Sequence, residues 1–384
     1  MTNALLRDAI QYGAASLPDV LPSALAALGV PNEPNTLGLD PTESLVVVLV
    51  DGLGWNLLRA HADAAPFLSG LQARPLTVGF PTTTATSLTS LGTGLTPGVH
   101  GLTGYTSRAE GVDEAVNWLR WETARSGRSL LEQLVPEELQ PHRTAFERAE
   151  AAGVEVSVVT HHSFRKSGLT RAALRGGTFV ASYTAADAIS AVATAARGRR
   201  PNLGYCYNGD LDLVGHVHGC ESEAWRIQLA LLDRVLEMIA ARLPPATRLL
   251  VTGDHGMVDV PDQAKIDYDA TPALSDDVET IAGEARARYL HVPAAKIDAV
   301  LRRWREELGD RMLIVTRDEA VAAGWFGPRV EAEVLCRIGD IVAVSTTDVA
   351  VVRQRVEPLL SRLRGQHGAL TEDELLVPLL QYVT

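Results

Sequence analysis

Four short runs, Leu45–Val50, Val154–Val159, Leu203–Tyr207 and Arg248–Thr252, are rich in aliphatic and β-branched residues. They show little of the in–out alternation of a half-exposed strand, so they predict parallel strands buried on both faces. Between and around them, Trp55–Ala60, Thr84–Leu91, Thr144–Ala152, Thr184–Arg197 and Ser222–Arg242 place apolar residues at helical spacing. This alternation predicts an α/β fold with a doubly wound, mostly parallel sheet flanked by helices. Leu76–Phe80 reads as a further strand, and the chain up to Val30 as two short helices.

The pattern changes after Asp259. Up to about Gly327 the chain carries charged helices, notably Ala294–Leu308, with strand signals at Ala287–Val292 and Met312–Thr316. This predicts an inserted cap lobe over 259–327, set on a core formed by 1–258 and 328–384. Arg337–Ser345 then reads as a strand returning to the main sheet, and Asp348–Leu363 as a helix. Thr371 and Glu374 have the spacing of a capping box for a last helix in TEDELLVPLL, which leaves His367 exposed in a tight turn. Residues 105–150 are irregular, with Trp118 and Trp121 among them, and are expected to build a wall of any site.

Composition narrows the function. The 384 residues are 46% hydrophobic, enough for a substantial core, and the formal charge of -12 argues against a stable nucleic-acid complex or an acidic membrane partner. No eighteen consecutive apolar residues occur, and the N-terminus lacks the layout of a cleaved leader, so no membrane association is expected. Cys206, Cys220 and Cys336 are an odd, scattered set that fits reduced thiols and a cytoplasmic location. Oligomeric state is left open.

The chemistry gathers where strands end. Asp51-Gly52 follows the first strand, at the edge where open α/β sheets bind ligands, although an aspartate there also serves as a helix cap. In Phe80–Gly101, FPTTTATSLTSLGTGLTPGVHG, hydroxyls precede a helix whose start attracts anions. Thr82, Thr83, Thr84 and Thr86 are its nucleophile candidates, and plain capping is the simpler reading. His161 and His162 follow another strand, where adjacent histidines are more often loop residues with ordinary hydrogen bonds than ligands or phosphate contacts. Asp210, Asp212, His216 and His218 cluster within nine positions, and Asp212 and His216, at i and i+4, share one helix face. Asp254-His255 lies in a glycine-flanked turn after Arg248–Thr252, and His367 in Gly365-Gln366-His367-Gly368.

Together Asp51, Asp212, His216, Asp254, His255 and His367 make three carboxylates and three imidazoles beside a hydroxyl. Such an inventory suits two divalent metal ions, Zn²⁺ first, with Mn²⁺ or Fe accommodated by the same donors.

The ordered motifs Asp51-Gly52, Phe80-Pro81-Thr82-Thr83-Thr84, Thr93-Gly94…Pro97…His100-Gly101, Asp212-x-x-Gly215-His216, Asp254-His255-Gly256-Met257 and His367-Gly368 resemble the alkaline phosphatase superfamily. Within it they are similar to the nucleotide pyrophosphatase/phosphodiesterase branch. The resemblance implies that Thr84 is the nucleophile, that Asp51, Thr84, Asp254 and His255 hold one zinc, and that Asp212, His216 and His367 hold the other. It further implies a phosphothreonine intermediate, hydrolysed from the opposite side with net retention at phosphorus. The expected substrate is a small phosphoester such as a nucleotide or another phosphodiester. Where the branch carries an asparagine that contacts a phosphate oxygen, this chain has Tyr105, the candidate substrate-binding residue. A phosphomonoesterase, or a phosphotransferase resembling the mutases of the same superfamily, is the alternative enzyme. A metal-binding protein without turnover is the reading from another class.

Overall fold

The protein is described by a computed structural model covering residues 9–384. Its main strands in chain order are β1 (Ser44–Val50), β2 (Gln72–Thr77), β3 (Glu155–His161), β4 (Thr178–Ser182), β5 (Asn202–Asn208) and β6 (Arg248–Gly253). Then come β7 (Thr280–Glu284), β8 (Ala287–His291), β9 (Met312–Thr316), β10 (Ile341–Ser345) and β11 (Leu376–Val383). One seven-stranded sheet has the order β2-β11-β6-β1-β5-β3-β4. The pairs β6–β1, β1–β5, β5–β3 and β3–β4 are parallel, and β11 runs antiparallel to both of its neighbours.

Every residue of β1 is buried, because the strand lies mid-sheet with helices on both faces. Leu45, Val47 and Leu49 enter one core with the helices Val20–Ala27, Thr84–Thr93 and Ala145–Ala151. Val46, Val48 and Val50 enter the other with Trp55–Ala60, Ala185–Ala195 and Glu223–Ala240. On Glu223–Ala240 the buried Leu229, Leu232, Leu236 and Ile239 form one stripe, each side chain contributing about 1.5–3 kcal/mol of hydrophobic stabilisation. This is the doubly wound sheet that the apolar runs predict.

Four expectations are corrected. Ile341–Ser345 is a strand, but it pairs with β8 and β9 in a separate antiparallel sheet of order β7-β8-β10-β9 and does not return to the main sheet. Its short apolar run fits any buried strand, and nothing local specifies the partner. Asp348–Leu363 is not a helix: Ala350–Val352 pairs with Lys265–Asp267, and only Leu360–Arg362 makes a 3-10 turn. Pro358 interrupts the apparent helical period. The last helix is a single turn, Glu372–Leu375, after which Leu376–Val383 is a strand between β2 and β6. Its capping box is not formed: the Thr371 hydroxyl donates to the Glu374 carboxylate instead of accepting from the backbone, and that carboxylate also holds Arg286. His367, expected to be exposed, is buried.

Two smaller differences concern β2, which ends at Thr77, and the N-terminal region. There one 3-10 turn, Leu17–Asp19, leads into Val20–Ala27, and the part of the two-helix expectation that falls before residue 9 lies outside the described residues.

Candidate active site

The carboxyl ends of β6, β1 and β5 lie side by side, and they deliver the acidic residues. Asp51 follows β1, Asp254 follows β6, and the helix Asp210–His218 begins just after β5. Gly52 allows the close approach. It has φ +75°, and a Cβ there would lie 3.0 Å from the Asp212 Cα, so glycine is required both for the turn and for the contact.

Two groups of donor atoms result: Asp51, Asp254 and His255, all buried, and Asp212, His216 and His367, with donors in each group within 4.8 Å of one another. His255 Nε2 lies 3.3 Å from Asp51 Oδ1, 3.5 Å from Asp254 Oδ2 and 3.3 Å from Thr84 Oγ1. In the second group, Asp212 Oδ1 lies 3.4 Å from His216 Nε2 and 4.0 Å from His367 Nε2. The groups adjoin: the His255 and His367 rings stack with centroids 3.6 Å apart.

The tautomers follow from the hydrogen bonds. His216 Nδ1 contacts the Gly365 carbonyl at 2.8 Å, His367 Nδ1 the Thr82 carbonyl at 2.8 Å, and His255 Nδ1 the Gly256 carbonyl at 3.0 Å. A carbonyl only accepts, so each Nδ1 carries the hydrogen and each Nε2 turns toward the aspartates. Backbone orientation of a ligating imidazole in this way is characteristic of metal sites. Asp254 Oδ1 accepts from the Gly52 and His255 amides, both at 3.0 Å, and Asp51 Oδ2 accepts from the Tyr207 hydroxyl.

The remaining oxygens, Asp51 Oδ1, Asp254 Oδ2 and Asp212 Oδ1, are buried without a hydrogen-bond partner among the described residues. Leaving buried carboxylate oxygens unmatched is costly unless a cation meets them. Mixed oxygen and nitrogen donors of this kind suit Zn²⁺, Mn²⁺ or Fe, so the residues present fit two divalent ions. The local field has the same sense. Burial opposes charge on His255, yet Asp254, Asp51 and Asp212 outweigh it and hold the imidazole up to about 10. Burial and the charge of Asp51 push the Asp212 and Asp254 carboxyls well up, whereas burial and His255 hold His367 well down.

Of the four threonine candidates, Thr84 is the one whose hydroxyl contacts this cluster. Thr82 is engaged elsewhere, donating to the Ala369 carbonyl at 2.9 Å and accepting from the Gly368 amide at 3.0 Å. Thr83 is the N-cap of the helix Thr84–Thr93 and lines the cavity with Thr84, while Thr86 is buried away from it. The cavity above holds about 380 Å³. Its walls include Tyr105, Leu119 and Arg120 from the irregular segment, and Gly283, Glu284 and Arg288 from the second sheet. Asp210 is exposed, as are His161, His162 and His218, none of which joins either donor group.

Three contributors escaped sequence reasoning. Tyr207 holds Asp51 and lines the cavity. Glu284 has one oxygen on the Tyr105 amide, and burial pushes its carboxyl up to about 7. The fully buried Arg286 forks onto Glu374, whose carboxylate also accepts from the Ala369 amide at 2.9 Å and whose carbonyl accepts from the Gly256 amide at 2.9 Å. Only the partners' proximity in space marks these residues, since each pair is far apart in sequence.

A parallel sheet whose strand ends present two Asp/His donor groups and a helix-start hydroxyl is the layout of the alkaline phosphatase superfamily. The chain belongs to the type I phosphodiesterase/nucleotide pyrophosphatase family, whose sequence model matches residues 45–370. Among solved structures it is similar to murine ectonucleotide pyrophosphatase/phosphodiesterase 5, at TM-score 0.68 and 18% identity over 88% of this chain and 87% of that one. The human protein of the same name gives TM-score 0.67 at 18% identity, over 88% of each chain. An inactive variant of the murine protein in complex with AMP gives 0.66 at 18% identity, covering 88% and 87%. No curated protein sequence matches. By family, the protein is a phosphodiester hydrolase.

Proposed function

We propose that the chain is a two-metal phosphodiesterase of the nucleotide pyrophosphatase type, acting through a phosphothreonine formed on Thr84. The observation that carries this reading is the position of Thr84 Oγ1, 3.3 Å from His255 Nε2 at the start of a ten-residue helix and open to the cavity. Asp51, Asp254 and His255, with Thr84, would hold one ion, and Asp212, His216 and His367 the other. When bound, the ions supply charge stabilisation to the phosphoryl group and favour the ionised Thr84 hydroxyl. The helix start offers backbone amides to phosphoryl oxygens. Attack by Thr84 Oγ1 expels the leaving alcohol, and water then opens the phosphothreonine.

Tyr105 takes the place of the branch's asparagine. Asn117 Nδ2 donates to Tyr105 Oη at 2.7 Å, which leaves the phenol's own hydrogen for a phosphoryl oxygen. Burial raises the Tyr105 pKa and keeps the phenol a neutral donor. Arg288, a cation lining the cavity, is bonded to the Val351 carbonyl at 2.9 Å and to Glu357 at 3.1 Å. Leu88, Leu119, Phe164, Leu169 and Leu174 supply an apolar wall suited to a base or aryl group, consistent with a nucleotide substrate.

The test is hydrolysis of aryl phosphodiesters and monoesters by purified protein supplied with Zn²⁺, beside Thr84→Ala. Wild type should turn over the diester, and the variant should lose activity by at least about 10³-fold. An active Thr84→Ala would refute the nucleophile. Chelation should abolish turnover and Zn²⁺ restore it, with about two metal ions per chain in the active form.

A further inference from the structure

Glu284 ends β7, where the hairpin between β7 and β8 reaches the catalytic cavity. Three contacts fix its place. The Tyr105 amide donates to Glu284 Oε2 at 2.9 Å, and the Thr106 hydroxyl donates to the Gly283 carbonyl at 2.8 Å. Gly368 approaches so closely that a Cβ there would stand 2.5 Å from Glu284 Cγ. The side chain is thereby held between Tyr105 and the loop that carries His367.

Its second oxygen is unmatched. Glu284 Oε1 is buried without a hydrogen-bond partner within 3.5 Å among the described residues; the Thr83 hydroxyl lies near enough to the carboxyl to lower its pKa slightly, and both residues line the cavity with Thr84. The nearby cations are engaged: Arg286 with Glu374, and Arg288 with Val351 and Glu357. A buried carboxyl oxygen in this state is costly, and an apolar side chain would fill the space at lower cost. A donor brought in by the substrate removes that cost. The phosphoryl group of a diester carries no hydrogen, so the donor belongs to an esterified alcohol. Among the donors such an alcohol can carry, a hydroxyl is the one that sugars and polyols place on carbons close to the phosphoester.

Resting on the phosphodiesterase reading above, we propose that Glu284 is a specificity-determining residue that accepts a hydrogen bond from a sugar or polyol hydroxyl on the substrate. Phosphodiesters of sugar-like alcohols are then preferred over those lacking hydroxyls.

The comparison uses the 4-nitrophenyl esters of uridine 5′-phosphate and of 2′,3′-dideoxyuridine 5′-phosphate, which share leaving group and base. The Zn²⁺-supplied wild type should favour the diol substrate by about tenfold or more in kcat/KM, as a hydrogen bond to a charged group supports. Glu284→Ala should lower kcat/KM for the diol substrate about tenfold more than for the dideoxy substrate, bringing the ratio near one. Glu284→Gln, which keeps an acceptor oxygen and nearly the same shape, should retain an intermediate ratio and guards against misfolding of the alanine variant. A wild-type ratio near one, or Glu284→Ala lowering both substrates equally, overturns the proposal. Turnover of the dideoxy substrate reports the phosphodiesterase activity separately. If neither substrate is turned over, calorimetric binding of uridine 5′-phosphate and its dideoxy analogue to wild type and Glu284→Ala carries the same comparison, with the same two outcomes.

Discussion

Replacing Glu374 by alanine should be among the most destabilising single changes in the protein. Arg286 and Glu374 are both essentially inaccessible and are joined by two parallel hydrogen bonds of 2.8 Å, Nε to Oε1 and Nη2 to Oε2. Arg286 Nη1 also donates to the Thr347 and Val349 carbonyls, each at 2.8 Å. Removing the carboxylate leaves the guanidinium buried with Nε and Nη2 unmatched, and strips the Ala369 amide of its acceptor. Breaking one side of a buried pair costs about 3–5 kcal/mol. Exchanging both partners for apolar residues of similar volume is often neutral. Urea denaturation of Glu374→Ala should therefore show a loss of that size, and the double variant Arg286→Met/Glu374→Leu should recover most of it. A loss below about 1 kcal/mol, or a double variant no more stable than the single, would refute the reasoning. The carboxylate also reaches the second donor group, since it accepts from the Ala369 amide, two residues from His367. Zn²⁺ affinity should fall in both variants, and the double should regain stability without regaining affinity.

Tyr105→Phe removes the proposed phosphoryl donor while keeping the ring, and should lower kcat/KM for an aryl phosphodiester by about 10–100-fold; unchanged kinetics would assign the contact elsewhere. His100 is buried against Ser90, and burial, with Arg337 nearby, lowers its pKa to about 3. It stays neutral in the fold but gains a proton in the unfolded chain near its ordinary value of 6.5, so stability falls as pH drops from about 6.5 toward 3. His100→Gln should flatten that dependence in urea titrations across the window, and a slope identical to wild type would exclude His100 as its source.

Much of the catalytic half was readable because its signals are local. Leu45–Val50 is apolar throughout since it is buried on both faces, and Asp51 and Asp254 sit where adjacent parallel strands end. Asp212 and His216 share a helix face by spacing alone. What escaped depends on partners remote in sequence. Leu376–Val383 is an apolar run that suits strand and helix equally, and its slot between β2 and β6 decides the matter. In Asp348–Leu363 the apolar residues mimic a helical stripe, yet Ala350–Val352 is claimed by Lys265–Asp267. Glu374 reads as a capping-box residue until Arg286, 88 positions away, is seen to occupy it.

The placement of β11 has a consequence for how the chain is made. Until residues 376–383 have left the ribosome, β6 has an open edge beside the strand that precedes Asp51, and β2 has no partner in the main sheet. The nascent chain thus carries an unpaired, apolar sheet edge from the completion of β6 at Gly253 until Leu376–Val383 emerge, the kind of surface that recruits chaperones or mispairs with a second chain.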